Sequence, residues 1–401
     1  MWLVVRAPCL GSLFKPWKGE ACPADRRPAF QTQGEAQLKL LHVINNLRFG
    51  GAEVLLRDSL PLMRDRGLSV SILILSDHDE EILKDIEGMG FNVLRSRARD
   101  LSSPAQVPQI RRLLKSADPD IVHVHLFPAL YWTALACPRK GPGMVYTEHS
   151  TTNRRREFSF LRPVETLIYR RYERIICISD GVRRALLSWL PSLARRTVVV
   201  HNGVDIQRIR RARPAIREEF HPGCAPGDRL LVMVASFSRK KDQATVIRAL
   251  GLLPMNFCLL LPGDGPARED MKSLASGLGL GDRVSFPGNR PDIPDILKAC
   301  DYAIQSSISE GFGLAAVESM AAGLPVLASR VSGLSEVVGD AGILFEPGNP
   351  EALACAILEV EKNGGTREAL ITRGLKRADR FRMENMVDNL ISIYGTVRGR
   401  S

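Results

Sequence analysis

Two carboxylates stand eight residues apart in the stretch Ser306-Ser-Ile-Ser-Glu310-Gly-Phe-Gly-Leu-Ala-Ala-Val-Glu318. Glu310 falls in the loop leaving an apolar strand, Gly311 and Gly313 keep the next turn small, and a helix is predicted from about Phe312 to Ala322. Free N–H groups at a helix start, and the positive end of its dipole, suit a diphosphate. At helical rise the two acids lie at most about 12 Å apart along the axis. That span is comparable with the reach from a sugar, across a diphosphate, to a ribose. One carboxylate can then accept from sugar hydroxyls and the other from ribose hydroxyls. An ordinary first-turn acid and a solvated helix glutamate have the same spacing, so spacing alone does not decide.

A second constellation is Asn45-Asn-Leu-Arg-Phe-Gly50-Gly51-Ala-Glu53, a strand end with paired glycines running directly into a helix pattern. Glycines there let backbone approach a ligand, and the helix start offers N–H groups to an anion. The pattern is not GxGxxG, which disfavours a dinucleotide-binding dehydrogenase. His149, between Glu148 and Ser150, stands at the carboxyl end of an apolar strand, where an α/β cleft opens, although a lone histidine is more often a satisfied structural residue. His123 and His125 have no carboxylate at metal-ligand spacing and read as hydrogen-bonding residues. Asp77-His-Asp79 and Asp118-Pro-Asp120 have the form of a metal-binding DxD, but the first opens an acidic helix start and the second is a turn. Neither is read as a metal site, and no metal and no cofactor are expected.

These residues must be held by alternating elements. Short β-branched runs at 38–44, 69–75, 121–124, 144–146, 175–178 and 198–200 alternate with helical patterns. After a Pro/Gly/Arg-rich stretch the grammar restarts at 230–235, 257–261, 284–286, 302–305 and 326–328. This predicts an α/β protein with two facing Rossmann-like, doubly wound domains and a site in the cleft between their strand ends. The expected boundaries are 37–205 for the first domain, 206–228 for a linker and 229–380 for the second domain. A final segment, 381–401, is expected to cross back over the first domain as a helix. Residues 1–36 are Pro-rich and aperiodic, and read as an extension or a misassigned start rather than a secretory signal.

The 401 residues are 45% apolar and 25% charged, the composition of a globular protein. No apolar run reaches membrane-spanning length. Eight scattered cysteines without a CxxC point to free thiols in a reducing, cytoplasmic setting. Net charge is +11, and 151–213 concentrates it, with fifteen arginines against five acids. A basic surface facing an anionic partner is expected there, and on charge alone the lipid headgroups of a membrane, a polyanionic substrate and nucleic acid are all candidates. A solvated Arg-rich helical face is the plainer reading. Nucleic acid is not expected, because no binding motif or interleaved aromatics accompany the charge.

The segment Glu310–Glu318 resembles the E-x7-E motif of the family-four retaining glycosyltransferases, which have the GT-B fold. The resemblance continues through Ala322-Gly-Leu-Pro-Val-Leu-Ala-Ser329, Gly333-Leu-Ser-Glu-Val-Val338 and Gly342–Leu353. Upstream it takes in Asn202-Gly-Val-Asp205, Lys241-Asp-Gln243, Gly263-Asp-Gly-Pro266, Gly288–Asp292, Gly50–Glu53 and Thr147-Glu-His149. It implies Glu318 on the ribose, Glu310 on the donor sugar, and the amides of Gly311, Phe312, Gly313 and Leu314 on sugar and diphosphate oxygens. It further implies Lys241 and Gly51 at the diphosphate, Arg290 near the base and His149 beside the sugar. One departure stands out: Ala235-Ser236-Phe237 replaces the family's frequent Gly-Arg, leaving Arg239 or Lys240 as candidates for a second phosphate clamp.

The implied activity is retaining, metal-independent transfer from a nucleotide-sugar donor to a hydroxyl of a glycan or lipid-linked acceptor, in surface polysaccharide synthesis. A GT-B nucleotide-sugar epimerase, which shares the fold but not the carboxylate pair, and a non-catalytic sugar-nucleotide binding module are the alternatives. An epimerase would convert a nucleotide sugar without any acceptor.

Overall fold

The computed structural model describes residues 37–48, 50–76, 81–98 and 100–398. The N-terminal extension, Asp77-His-Asp79, Cys9 and Cys22 lie outside the described residues. Seven parallel strands form the first sheet: β1 (Lys39–Ile44), β2 (Ser69–Ile74), β3 (Asn92–Arg95), β4 (Ile121–His125), β5 (Gly143–Glu148), β6 (Arg174–Cys177) and β7 (Thr197–Val199). Six more form the second: β8 (Arg229–Val232), β9 (Phe257–Pro262), β10 (Val284–Gly288), β11 (Tyr302–Gln305), β12 (Val326–Ser329) and β13 (Ile343–Phe345). The sheet orders are β3-β2-β1-β4-β5-β6-β7 and β10-β9-β8-β11-β12-β13. Both reverse direction beside their first strand, at β1/β4 and β8/β11, and such reversals open a crevice at the strands' carboxyl ends. Every residue of β4, β5 and β9 is buried, as strands covered by helices on both faces must be.

Register also decides which side chains meet. His42 on β1 is the partner of His123 on β4, and His125 of Thr147 on β5. Strand alternation puts His123 and His125 on one face with His42, so three imidazoles gather there.

The helix carrying Glu318 runs from Leu314 to Ala322, two residues later than the sequence pattern predicts. The delay comes from Gly313, whose φ of 101° is left-handed and closed to the helix. Gly323, at φ 85°, ends the helix the same way, and Pro325 follows. Residues 206–228, the expected linker, carry structure of their own. They contain the helices Ile206–Arg211 and Arg217–Phe220, with Ile206, Ile209, Phe220 and Cys224 buried.

The chain crosses between the two sheets twice, near Val204 and near Arg382, and the crossings are bonded to one another. Val204 N–H donates to Phe381 O (2.8 Å), and Met383 N–H donates to Val204 O (3.0 Å). A Cβ on Gly203 would stand 2.5 Å from Met383 Cα, so only glycine lets the crossings touch. The helix Met383–Arg398 then returns to the first sheet, burying Val387, Ile391 and Tyr394 in the same apolar cluster as Ile121, Val145 and Ile176. Tyr394 OH is 2.7 Å from His123 Nδ1.

Candidate active site

A cleft of about 590 Å³ opens at the carboxyl ends of both sheets. Gly51, His149, Lys241, Arg290, Glu310, Phe312, Gly313, Leu314 and Glu318 all line it, so nearly every residue singled out from sequence converges there. Gly311 is the exception. Its N–H donates to Glu310 Oε1 (3.1 Å), and its carbonyl accepts from Ser179 Oγ (2.6 Å). A Cβ on Gly311 would stand 2.5 Å from His149 O, so glycine is needed for the loop to pass the first sheet.

Lys241 Nζ and Glu310 Oε2 form an ion pair, both side chains mostly shielded from water. Lys241 precedes the helix Gln243–Gly251, and Asp242 caps that helix through Thr245 N–H. The lysine ammonium is thus fixed by the helix start it adjoins and by the carboxylate facing it. Across the cleft, a Cβ on Gly51 would meet Leu314 Cδ1 at 3.6 Å, an ordinary contact. The protein itself would accept alanine at 51, so the glycine leaves room for something else.

Glu318 points from one turn inside its helix toward an adjoining hollow that Asp58, Arg208 and Arg290 share. Burial pushes its carboxyl up from 4.5 to about 7, Asp58 pushes the same way, and Arg208 opposes. It has no hydrogen bond or ion pair among the described residues. Arg290 is held by both carboxylate oxygens of Asp292, at 2.8 and 2.6 Å.

Neither candidate for a second phosphate clamp lines the cleft. Ser236 lines the cleft, but Arg239 is exposed and does not, and Lys240 Nζ turns to Thr152 Oγ1 at 3.1 Å.

His149 is neutral, because burial lowers its pKa to about 4. Its Nε2 is 3.3 Å from His125 Nδ1, and His125 Nε2 is 3.0 Å from His42 Nδ1. Burial also depresses His42 and His125, so each ring carries one N–H. Only two tautomer orders satisfy the chain. In the order that donates toward the cleft, His149 keeps its proton on Nδ1, and the partnerless His42 Nε2 is an acceptor rather than a stranded donor. His123 bonds Tyr394 and Thr147 instead, the hydrogen-bonding role expected of it.

Three residues to which sequence reasoning gave no role join the two halves beside the cleft without lining it. Ser179 Oγ accepts from Val182 N–H, capping the helix Asp180–Trp189, and also donates to Gly311 O. Glu336 accepts from the N–H groups of Asp180 (2.9 Å) and Gly181 (3.1 Å), and lies 2.8 Å from His201 Nε2. The serine is legible as an N-cap before Asp180-Gly-Val. Its second bond, and those of Glu336 and His201, join residues more than 130 positions apart and leave no local pattern.

Residues 216–377 match the family of glycosyl transferases group 1, and residues 49–208 match Glycosyltransferase Family 4. The chain belongs to the group 1, family-4 type glycosyltransferases. A D-inositol 3-phosphate glycosyltransferase from Mycobacterium marinum is 31% identical over 301 residues, covering 69% of this chain and 63% of that protein's length. A phosphatidyl-myo-inositol mannosyltransferase from Mycobacterium leprae is 28% identical over 367 residues, 87% of this chain and 93% of its own. Among solved structures, Anabaena HepE in complex with UDP and glucose superposes with a TM-score of 0.79 at 24% identity, over 90% of this chain and 100% of that one. A sucrose-phosphate synthase from Thermosynechococcus elongatus gives 0.76 at 19%, over 91% and 100%. These likenesses fix the fold as GT-B, the two facing Rossmann-like domains expected from sequence.

Proposed function

We propose that this chain moves a sugar from a nucleotide-diphosphate sugar to a hydroxyl of a glycan or lipid-linked acceptor, with retention at the anomeric carbon and without a metal. The observation that carries the reading is the Lys241–Glu310 pair at the mouth of a helix whose next turns bring Glu318 to the same cleft. Lys241 is neutralised by Glu310. A diphosphate entering between them competes for the ammonium and frees the carboxylate to accept from sugar hydroxyls. As the donor bond breaks, negative charge grows on the diphosphate, and Lys241 and the Leu314 helix start offset it.

His149 holds a sugar hydroxyl as a neutral donor. The acceptor approaches on the departing face and gives its proton to a leaving phosphate oxygen, and no protein nucleophile is assigned. The HepE structure with UDP and glucose supports a nucleotide-sugar donor. Surface polysaccharide assembly is the proposed setting.

Thermal-shift titration with UDP, GDP and ADP identifies the base, because a ligand of the native state raises stability. Incubation with the matching nucleotide sugars and simple glycoside acceptors, read by NMR of the product anomer with and without EDTA, then tests transfer. Retained configuration, EDTA resistance and loss of turnover in Glu310→Gln are expected. No nucleotide stabilisation, or an unimpaired Glu310→Gln enzyme, overturns the reading.

A further inference from the structure

The arginine-rich segment does not expose its charge uniformly. Arg155 pairs with buried Glu165 (2.6 Å) and lies over the Phe127 ring (4.0 Å). Arg156 pairs with Glu148, and Arg171 donates to the carbonyls of Ala134 and Cys137. Arg154, Arg162 and Arg170 stay exposed.

Between these three cations lies exposed apolar surface: Phe158 (50%), Phe160 (73%), Val164 (50%) and Leu167 (66%). The Phe158 and Phe160 rings are 5.8 Å apart. Phe160 lies at the middle of the tight turn Ser159–Leu161, which runs straight into the helix Arg162–Tyr169, and positions 160, 164 and 167 have the spacing of one helical face. The opposite face is already packed, through Ile168, Tyr169 and Glu165, the last accepting from Tyr131 OH, Arg155 Nε and Trp189 Nε1. A surface helix ordinarily has one apolar face, turned to the core. This one has two, and the carboxylate hub beneath it fixes the second outward.

The patch adjoins the site along the chain. It begins five residues after His149, and the intervening Thr151 and Thr152 touch Ser309 and Lys240 of the second half.

We propose that residues 154–170 form a docking surface for an anionic bilayer, set so that an acceptor carried in that bilayer meets the cleft beside His149. Phenylalanine and leucine enter the headgroup–acyl boundary, while the three guanidinium groups bind lipid phosphates. Glu157 is the exposed acid within the patch. Charge argues against a second copy as occupant, because a two-fold contact would set the same cationic rim against itself. The proposal rests on the glycosyltransferase reading only for the acceptor's identity, and docking itself is separable from it.

The test floats the full-length chain with phosphatidylcholine vesicles with and without phosphatidylglycerol. Binding to the anionic vesicles at low salt is expected, weakened by added salt. Phe160→Ser combined with Leu167→Ser should cut partitioning by roughly tenfold or more. Nucleotide-induced thermal stabilisation should be unchanged in that variant, which verifies its fold and separates failure of docking from failure of the donor site. Absence of flotation by the unaltered chain, or undiminished flotation by the double variant, overturns the proposal. So does a dimer detected by light scattering that the double variant abolishes while neither protein floats.

Discussion

Glu318→Gln, compared with the unaltered chain across neutral pH, probes whether this carboxylate receives a ribose. Its pKa lies at about 7 because the group is buried beside Asp58, and only the ionised form accepts from both ribose hydroxyls. One unit below that pKa, ionising it costs about 1.4 kcal/mol, a factor of about ten. A nucleotide sugar, whose diphosphate diester does not titrate in this range, should therefore bind about tenfold more weakly at pH 6 than at pH 8.

The same shift predicts stability. The native carboxyl holds its proton above its ordinary 4.5, so the folded state binds more protons between 4.5 and about 7. Stability therefore falls as pH rises through that window and stays reduced above it. Glutamine removes the penalty, so Glu318→Gln should melt higher at pH 8, by at most about 3 kcal/mol, with the gain vanishing at pH 4. Titration calorimetry reads the first effect and scanning calorimetry the second. A flat affinity profile in the unaltered chain, or the same slope surviving in Glu318→Gln, refutes the assignment.

Gly51→Ala should melt within about 0.5 kcal/mol of the unaltered chain, since its Cβ meets only Leu314 Cδ1, yet lose most of its nucleotide-sugar affinity. Equal affinity would mean the space is unused. Ser179→Ala removes a helix cap and strands Gly311 O, which should cost about 1–2 kcal/mol in denaturant unfolding. Its turnover should fall more than its KM rises, because Glu310 sits on the loosened loop. Glu336→Ala frees two amides and His201, and should cost about 1–3 kcal/mol. Its radius of gyration in small-angle scattering should rise as the halves part, and an unchanged value would deny Glu336 that role.

What was legible in the sequence follows burial. β4 and β9 lie inside their sheets, so Phe257–Leu261 is an unbroken apolar run and Ile121–Val124 is interrupted only by His123. β3 and β13 end their sheets, and Asn92–Arg95 and Ile343–Phe345, mostly half-exposed, give no such signal and went unread. Glu310 and Glu318 were legible because their eight-residue spacing across a glycine-opened helix start is local, although Lys241, which faces Glu310, lies 69 positions upstream. The true helix start was not, because a left-handed Gly313 resembles an ordinary N-terminal glycine until its φ is known. The arginines of 151–213 read as surface charge, although several serve as internal hydrogen-bond donors. Sequence counts cations but does not say which ones a buried carboxylate has claimed.

Because Gly203 and Met383 are pressed backbone to backbone, the two strands of chain joining the halves cannot swing separately. Any gaping of the cleft must turn about that stapled pair as a door turns on a single pin. The first half is free to tilt only as far as its own C-terminal strap travels with it. A side chain added at position 203 would thus alter how the cleft opens without touching any residue that lines it.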